Sequence, residues 1–236
     1  MNTRNILTAF AALAVGSLLT NLAWDALASP LKQVGKPRDS NVLRLGDRFG
    51  DAEVVDLVSA LARRRGQRTV LVIHTFGGEL SHVARLAEAV HAHGQVEAWV
   101  PARAMSGGAL VALASSQIVM WPDSCLGPID PQLFVGFMGV FSAHSIARVI
   151  ATKEKDIDEF WLASGNESAR ALRDVQALVT RYGVPEAALG RFINKDHSHG
   201  FPIFAAEAQE LGLDVLLASP SIDRESLIEE HRHAYQ

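Results

Sequence analysis

The sequence predicts an α/β fold built around a parallel sheet. Three observations lead to this prediction: strand and helix patterns alternate over residues 52–121, the strands are short apolar runs, and the pattern becomes mainly helical beyond Phe141. Such alternation is typical of α/β proteins, whose loops meet at one edge of the sheet. The 236 residues, of which 48% are hydrophobic, are enough for one domain with a substantial core.

The order of the elements follows from the spacing of the apolar residues. The alternating part predicts helices over 52–65, 81–93 and 107–115, and strands over 69–73, 96–100 and 117–121. The C-terminal part predicts helices over 142–152, 159–182, 185–193, 205–211 and 224–233. No internal repeat or low-complexity segment stands out in this order.

Two glycine motifs directly follow predicted strands, His74-Thr-Phe-Gly-Gly78 and Ala104-Met-Ser-Gly-Gly108. Backbone N–H groups of the first Gly-Gly pair can face a ligand without obstruction from a side chain. Ser106 is predicted at the N-terminus of a helix, where the dipole and the free N–H groups favour an oxyanion. Together the motifs predict acyl-transfer chemistry with Ser106 as the nucleophile.

Each motif alone also has a purely structural explanation. Serine is a preferred helix N-cap, and Gly-Gly is common in tight turns. The occurrence of both motifs directly after apolar strands favours catalysis over these explanations. Ala104 occupies the position of the first glycine in a Gly-x-Ser-x-Gly motif, which argues against the nucleophile elbow of α/β-hydrolases.

The residues resemble the serine dehydrogenase proteinase family, which belongs to the ClpP/crotonase superfamily together with signal peptide peptidase A. The resemblance spans roughly residues 50–212 and rests on four blocks in the family's order. These are Asp51-Ala-Glu53, the two glycine motifs, and Leu126-Gly-Pro-Ile-Asp-Pro-Gln132. Phe76 replaces the usual proline of the first glycine motif, a departure that could change how firmly its loop is held.

The resemblance implies a ClpP/crotonase-like spiral of βαβ units, with C-terminal helices that cap the site and mediate self-assembly into a homo-oligomer. It implies a serine endopeptidase that acts on polypeptides without a cofactor, with the Gly78 and Gly107 amides as oxyanion donors. Gly77, Gly108 and Asp130 are candidates for substrate binding. Reasoning from the residues alone does not separate this fold from a doubly wound sheet.

A serine nucleophile needs a base, and two candidates compete. Lys153 falls where a similar segment of the family carries a lysine, and the apolar residues 140–152 could desolvate it to a neutral amine. The alternative is that its charge run ends a helix in solvent. His199 matches a family position too, although it could merely anchor a loop. A ClpP-type triad is not expected, because Ile129-Asp130 occupies the place of the ClpP histidine, and the prolines around Asp130 indicate a turn.

Residues 1–28 are predicted to form a transmembrane anchor or a signal segment, since the apolar, uncharged run over 6–24 is about as long as a helix that crosses a bilayer. Ala26-Leu-Ala28 resembles a cleavage site, but the apolar run is longer than a usual signal core. We therefore favour a single-pass anchor.

Residues 29–49 are predicted as a linker, and residues 50–236 as the peptidase domain. Five basic residues between positions 32 and 48 place that domain on the cytoplasmic side by the positive-inside rule. A cleaved signal would instead place it outside the membrane, and a single cysteine permits either compartment.

Several other functions are disfavoured. Three His-x-His pairs occur, but two of them lie in helical contexts where their side chains diverge, so no metal site is predicted. The pI near 6.1 and the net charge of −4 argue against nucleic acid as a partner. The leading hypothesis is a membrane-associated serine peptidase with a Ser/Lys dyad. The alternatives are a non-catalytic membrane scaffold and, less favoured, a crotonase-type acyl-CoA enzyme.

Overall fold

The computed structural model describes residues 41–152, 158–193 and 198–233. The elements of the first half, in chain order, are β1 (Val42–Leu45), β2 (Arg48–Phe49), α1 (Asp51–Arg63), β3 (Thr69–Ile73), β4 (Gly77–Gly78), α2 (Leu80–His93), β5 (Val96–Val100), β6 (Arg103–Ala104), α3 (Gly107–Leu113) and β7 (Gln117–Met120). Those of the second half are β8 (Cys125–Leu126), β9 (Gln132–Phe134), β10 (Val140–Ser142), α4 (Ala143–Thr152), α5 (Glu159–Arg181), α6 (Glu186–Phe192), β11 (Ile203–Phe204), α7 (Ala205–Glu210), β12 (Val215–Leu217) and α8 (Arg224–His233).

A five-stranded parallel sheet with the order β1-β3-β5-β7-β12 organises the fold. All five residues of β3 are buried, as a continuous apolar run predicts for a strand covered on both faces. Because all the strands run in one direction, their carboxyl ends and the loops that follow them lie along one edge. The two glycine motifs follow β3 and β5 and therefore meet at that edge.

Short strands repeat the pattern of the main sheet beyond that edge. β4 pairs with β2, and β6 pairs with β8, in both cases in parallel, while Thr75 forms an isolated bridge with Ala104. β11 adds to β8 in antiparallel direction. Each repeat thus consists of a long strand, a short paired segment and, in the first repeats, a helix, which is the arrangement expected of stacked βαβ units.

The core is apolar on both faces of the sheet. One face packs against the C-terminal segment in a cluster of Val70, Val72, Trp99, Val119, Trp121, Ala218, Ile222 and Leu227. The other face is covered by the early helices, whose buried positions include Leu57, Leu86 and Leu110. α1 and α2 are amphipathic, with their apolar positions spaced to face the sheet, whereas all seven residues of α3 are buried.

Most predicted elements are confirmed with boundaries within about two residues. The α/β fold with a parallel sheet is therefore as expected. The remaining strands were not predicted. They are the two-residue strands β2, β4, β6, β8 and β11, the β9–β10 hairpin, β12, and β1, which lies inside the range 29–49 predicted as a linker. The sheet pairing of β1 corrects that range, because at least residues 42–45 belong to the domain. β1 could not be recognised from the sequence because four residues are too few to show a clear strand pattern.

The predicted anchor, residues 1–28, lies outside the described residues. Within 41–152, 158–193 and 198–233, no helix combines the length and the apolar composition that crossing a bilayer requires.

Candidate active site

Ser106 has an unusual backbone conformation. It lies between β6 and α3 with φ of 50° and ψ of −118°, and it is the only non-glycine residue with positive φ in the described part of the chain. Such a conformation costs free energy and persists only where the surroundings impose it, which is a recurring property of functional residues. The Ser106 side chain makes no N-cap hydrogen bond to α3, which removes the structural explanation of this serine as a helix cap.

Gly77, which belongs to the first glycine motif, packs closely against Ser106. A Cβ atom at Gly77 would lie 2.9 Å from the Ser106 Cβ and 3.1 Å from the Gly107 nitrogen, and its φ of 109° also disfavours any other residue. The Gly77 amide donates to the Thr75 hydroxyl at 3.0 Å. Gly77 therefore acts through close packing, and its amide is already engaged.

The loop of the first glycine motif is held by hydrogen bonds to the segment before α1. The Thr75 hydroxyl donates to the Asp47 carbonyl at 2.7 Å, and the Phe76 amide donates to the same carbonyl at 2.9 Å. The Arg103 guanidinium lies over the half-exposed Phe76 ring, 3.8 Å from the ring centroid. Proline, the usual family residue, has a rigid pyrrolidine ring but no N–H. Phe76 lacks that rigidity and instead provides a hydrogen bond and a cation–π contact.

The fourth motif block packs directly behind the serine. The Gly127 amide donates to the Ala104 carbonyl at 2.9 Å, and a Cβ atom at Gly127 would lie 2.9 Å from the Met105 Cα. Only glycine allows the two backbones to approach so closely. This contact brings the following residues, Ile129 and Asp130, to the same side as Ser106.

A cavity of about 320 Å³ opens at Ser106. Its polar backbone wall contains Gly78 and Gly107, and its apolar walls come from α2, α3, β9 and α5. The lining residues are Gly78, Glu79, Leu80, Val83, Ser106, Gly107, Leu110, Ile129, Asp130, Pro131, Gln132, Leu133, Glu167, Ala171 and Val175. A concave site with apolar walls and few polar groups is typical of ligand and substrate binding.

The Gly107 amide is the first N–H of α3, so no carbonyl of its own helix can accept from it. Within the described residues no other acceptor is found for it or for the Ser106 hydroxyl. Gly107 is packed so tightly that a Cβ atom would overlap the Val83 side chain. An unoccupied donor beside a hydroxyl is the geometry required for an oxyanion hole.

Asp130 lines the cavity and is a buried residue, only 6% exposed. The Gln132 side-chain amide donates to its Oδ2 at 2.8 Å and lies 3.4 Å from the His199 Nδ1. Burial raises the pKa of Asp130, while His144, His199 and the Gln132 hydrogen bond oppose that rise. Gln132 therefore connects Asp130 to His199 through side-chain contacts.

The structure brings four of the predicted site residues, Ser106, Gly78, Gly107 and Asp130, into one cavity. Gly77 and Gly108 do not line it; the Gly108 amide donates to the Met105 carbonyl at 2.8 Å. Both glycines are closely packed in the structure, and their role in substrate binding stays a prediction.

His199 does not line the cavity and instead contacts Gln132, which fits the loop-anchoring interpretation. Lys153 lies outside the described residues, directly after the end of α4 at Thr152. Sequence reasoning missed Gln132 and His144. Gln132 is part of the fourth motif block and could have been considered, whereas no local pattern marks His144.

The described residues contain no group of three or more His, Cys, Asp or Glu side chains that could hold a metal ion. Burial raises the pKa of the Cys125 thiol, which makes it a weak nucleophile at neutral pH. Ser106 is therefore the candidate nucleophile in the cavity.

Comparison with known proteins agrees with this geometry. The family model described as ClpP-like SDH-type serine proteinase matches residues 58–229. Two uncharacterized proteins of Methanocaldococcus jannaschii are 37% identical over 154 residues and 29% identical over 153 residues. Each match covers 61% of this chain and 52% or 51% of the relative, so the chain spans about half the length of the curated relatives it matches.

Two solved structures share the fold. Both are variants of the 1510-N membrane-bound stomatin-specific protease, and one is in complex with a substrate peptide. They match with TM-scores of 0.52 and 0.51 at 18% sequence identity. The matches cover 80% and 75% of this chain, and 82% and 74% of those chains. At this identity the likeness concerns the fold alone.

Proposed function

Because this chain belongs to the ClpP-like SDH-type serine proteinases, we propose that it hydrolyses peptide bonds with Ser106 as the nucleophile. The observation that carries the proposal is the strained Ser106 at the mouth of a cavity that Gly78 and Gly107 also line. A positive φ at a nucleophile places its hydroxyl above the start of a helix, where backbone donors can face the reacting carbonyl.

In the proposed mechanism the Ser106 oxygen attacks the carbonyl carbon of the scissile bond and its proton passes to the base. The resulting oxyanion accepts hydrogen bonds from the Gly78 and Gly107 amides. The leaving amine takes the proton back from the base as the tetrahedral intermediate collapses to an acyl-enzyme. Water then attacks the ester, with the base accepting and returning the proton, and the free Ser106 hydroxyl is restored.

We propose Lys153 as the base, with His199 as the alternative. Lys153 follows α4 directly, and α4 is anchored near the cavity because the Ala143 amide donates to the Pro131 carbonyl at 2.9 Å. His199 is less favoured because its contact is to Gln132. We expect Lys153→Ala to abolish turnover and Lys155→Ala, two residues further on, to retain it. Full activity in Lys153→Ala together with an inactive His199→Ala would assign the role to the histidine.

The cavity walls favour an apolar side chain of a polypeptide substrate. Leu80, Val83, Leu110, Ile129 and Val175 supply most of this lining. Burial of an apolar substrate side chain against them would contribute about 25 cal/mol per Å² of area removed from water. We therefore expect peptides with a leucine or phenylalanine before the scissile bond to be cleaved faster than peptides with an aspartate there.

We also propose that residues 1–28 anchor the chain in a membrane as a single span, with the peptidase domain on the cytoplasmic side and self-associated into a homo-oligomer. The apolar N-terminal run and the basic residues that follow support this proposal. The membrane-bound protease among the solved structures is consistent with it. Retention of the full-length protein in membranes after alkaline carbonate extraction is the expected result, and release into the soluble fraction would contradict it.

The central test is labelling of the full-length protein by a fluorescent serine-directed phosphonate. Wild type is expected to be labelled, and Ser106→Ala is not. Ser81→Ala is a matched control, because Ser81 lies in the first turn of α2 beside the cavity and its hydroxyl donates to Glu79 at 2.8 Å. Equal labelling of wild type and Ser106→Ala, or the absence of labelling in wild type, would refute the peptidase assignment and favour a non-catalytic scaffold.

A further inference from the structure

The hairpin of β9 and β10 continues beyond its strands in a way that joins the cavity to α4. Gln132 pairs with Ser142 in the antiparallel register. The next step is made by the Ala143 amide, which donates to the Pro131 carbonyl at 2.9 Å. Asp130 precedes Pro131, and His144 follows Ala143 in the first turn of α4, so the two residues flank this hydrogen bond. The bond that follows the hairpin therefore brings a cavity residue close to the first turn of α4.

Asp130 and His144 each carry a buried polar atom without a hydrogen-bond partner within the described residues, the Asp130 Oδ1 and the His144 Nε2. One is an acceptor and the other can be a donor, depending on the tautomer. Neither atom forms a hydrogen bond with the other in this structure. Buried polar atoms are rarely left unpaired, so two complementary ones that flank the same backbone hydrogen bond require an explanation. Because the Asp130 Oδ1 is inaccessible to solvent, it is not available to a substrate in the cavity.

We propose that Asp130 and His144 form a positioning pair that fixes the first turn of α4 against the cavity loop. Asp130 then acts on the reaction through the helix that leads to Lys153, without touching substrate. At the far end of α4, Ile150 packs against Gly165 of α5, where no room exists for a Cβ atom. Contacts thus hold α4 at both ends, and the Asp130–His144 pair fixes the position of the end that adjoins the cavity.

The groups that face Asp130 come from three segments. His144 lies on α4, Gln132 on β9, and His199 on the turn before β11. From α5, Glu167 lines the same cavity at its exposed rim. The two histidines stabilise the ionised carboxylate, and His144 has the larger effect of the two. The carboxylate is therefore expected to respond more strongly to loss of His144 than to loss of His199.

A titration of the full-length protein tests the pair without reference to activity. The Asp130 ¹³Cγ resonance is followed with pH by NMR in wild type, His144→Ala and the matched control His199→Ala. The expected result is a rise in the Asp130 pKa in both variants that is larger in His144→Ala. An Asp130 titration that is unchanged in His144→Ala, or changed more by His199→Ala, would overturn the pair.

The consequence for catalysis rests on the proposed function and is tested by kinetics. Asp130→Asn and His144→Ala are each expected to lower kcat about tenfold or more with little change in KM, since misplacement of a reacting group by about 1 Å has effects of this size. His144→Gln, which retains a donor near the same position, is expected to recover part of the loss. The double variant should be no slower than the slower single variant.

The outcomes separate the two proposals. Losses that multiply in the double variant, or a rise in KM alone, would overturn the positioning role and indicate a direct contact with substrate. If wild type is neither labelled nor active while the titration gives the expected order, the peptidase proposal is refuted and the pair is supported. If labelling is normal and the Asp130 titration is unchanged in both variants, the pair is refuted and the peptidase proposal is supported.

Discussion

Replacement of Gly77 by alanine is the most informative perturbation of the site. The new Cβ atom would lie 2.9 Å from the Ser106 Cβ and 3.1 Å from both the Gly107 nitrogen and the Met105 carbonyl oxygen. Real Cβ atoms do not approach other atoms at the shortest of these distances, so Ser106 or the loop must move. The backbone at Gly77, with φ of 109°, adds strain for any residue that has a side chain.

The magnitude follows from two contributions. A non-glycine residue in such a backbone conformation costs about 1–3 kcal/mol. An extra methyl group in a packed site costs about 1–3 kcal/mol more. The expected loss of about 2–6 kcal/mol in the free energy of unfolding is a large part of the roughly 5–15 kcal/mol that holds a domain folded. Any displacement of Ser106 that relieves the overlap should slow phosphonate labelling about a hundredfold.

Gly94→Ala is the matched control. Gly94 also has positive φ, 73°, but nothing lies within 4 Å of a Cβ atom there. It should lose about 1–2 kcal/mol and be labelled at the wild-type rate. Urea unfolding and labelling kinetics on the three proteins measure both effects. If Gly77→Ala unfolds at the same urea concentration as Gly94→Ala and is labelled as fast as wild type, the inferred contact between the two glycine motifs does not exist.

Three further predictions concern the same site. Ser106→Gly should be inactive but about 1 kcal/mol more stable than Ser106→Ala in urea unfolding, because glycine adopts a positive φ without strain. Equal stabilities of the two variants would show that the backbone at Ser106 is not strained. Burial raises the pKa of Asp130 from 3.8, so the folded state holds its proton more tightly than the unfolded state, and the free energy of unfolding should fall as pH rises from about 4 through the raised pKa. That fall should be missing in Asp130→Asn, and identical pH profiles of stability would contradict it. Phe76→Pro should lower the free energy of unfolding by about 1–2 kcal/mol, since it removes the amide hydrogen bond to Asp47 and the contact with Arg103. Phe76→Leu should lose only the contribution of the Arg103 contact. A proline variant as stable as wild type would show that the family residue serves equally well here.

The sequence was sufficient for the elements whose signal is local. The strand β3 has the predicted bounds because its apolar run lies between Arg68 and His74, and β5 has them because Gln95 and Pro101 flank a mainly apolar segment. β1 and β12 were missed because each has only three or four residues, and what makes them strands is pairing with β3 and β7, far away in sequence. Local pattern contains no information about such a partner.

The candidate site divides in the same way. The order of strand, glycine motif and helix placed Ser106, Gly78 and Gly107 together correctly, since consecutive parallel strands end at one edge. The same reasoning could not distinguish a glycine that exposes its amide from one that permits close packing, so it gave no sign that the Gly77 amide donates to Thr75. The position of His144 near Asp130 could be recognised only from the hydrogen bond between Ala143 and Pro131. That bond depends on the number of residues in the hairpin turn.

That turn has a consequence for how related chains can differ. Five residues, 135–139, separate the paired ends of β9 and β10, and the Val135 amide closes them on the Gly139 carbonyl at 2.8 Å. Loss of a single residue here would offset every later pairing by one and exchange the two faces of the hairpin. The Ala143 amide would then meet a residue other than Pro131, and α4, which carries His144, would start from a rotated position. Natural insertions and deletions should therefore be scarce between Pro131 and Ala143 and more frequent in surface loops remote from the cavity.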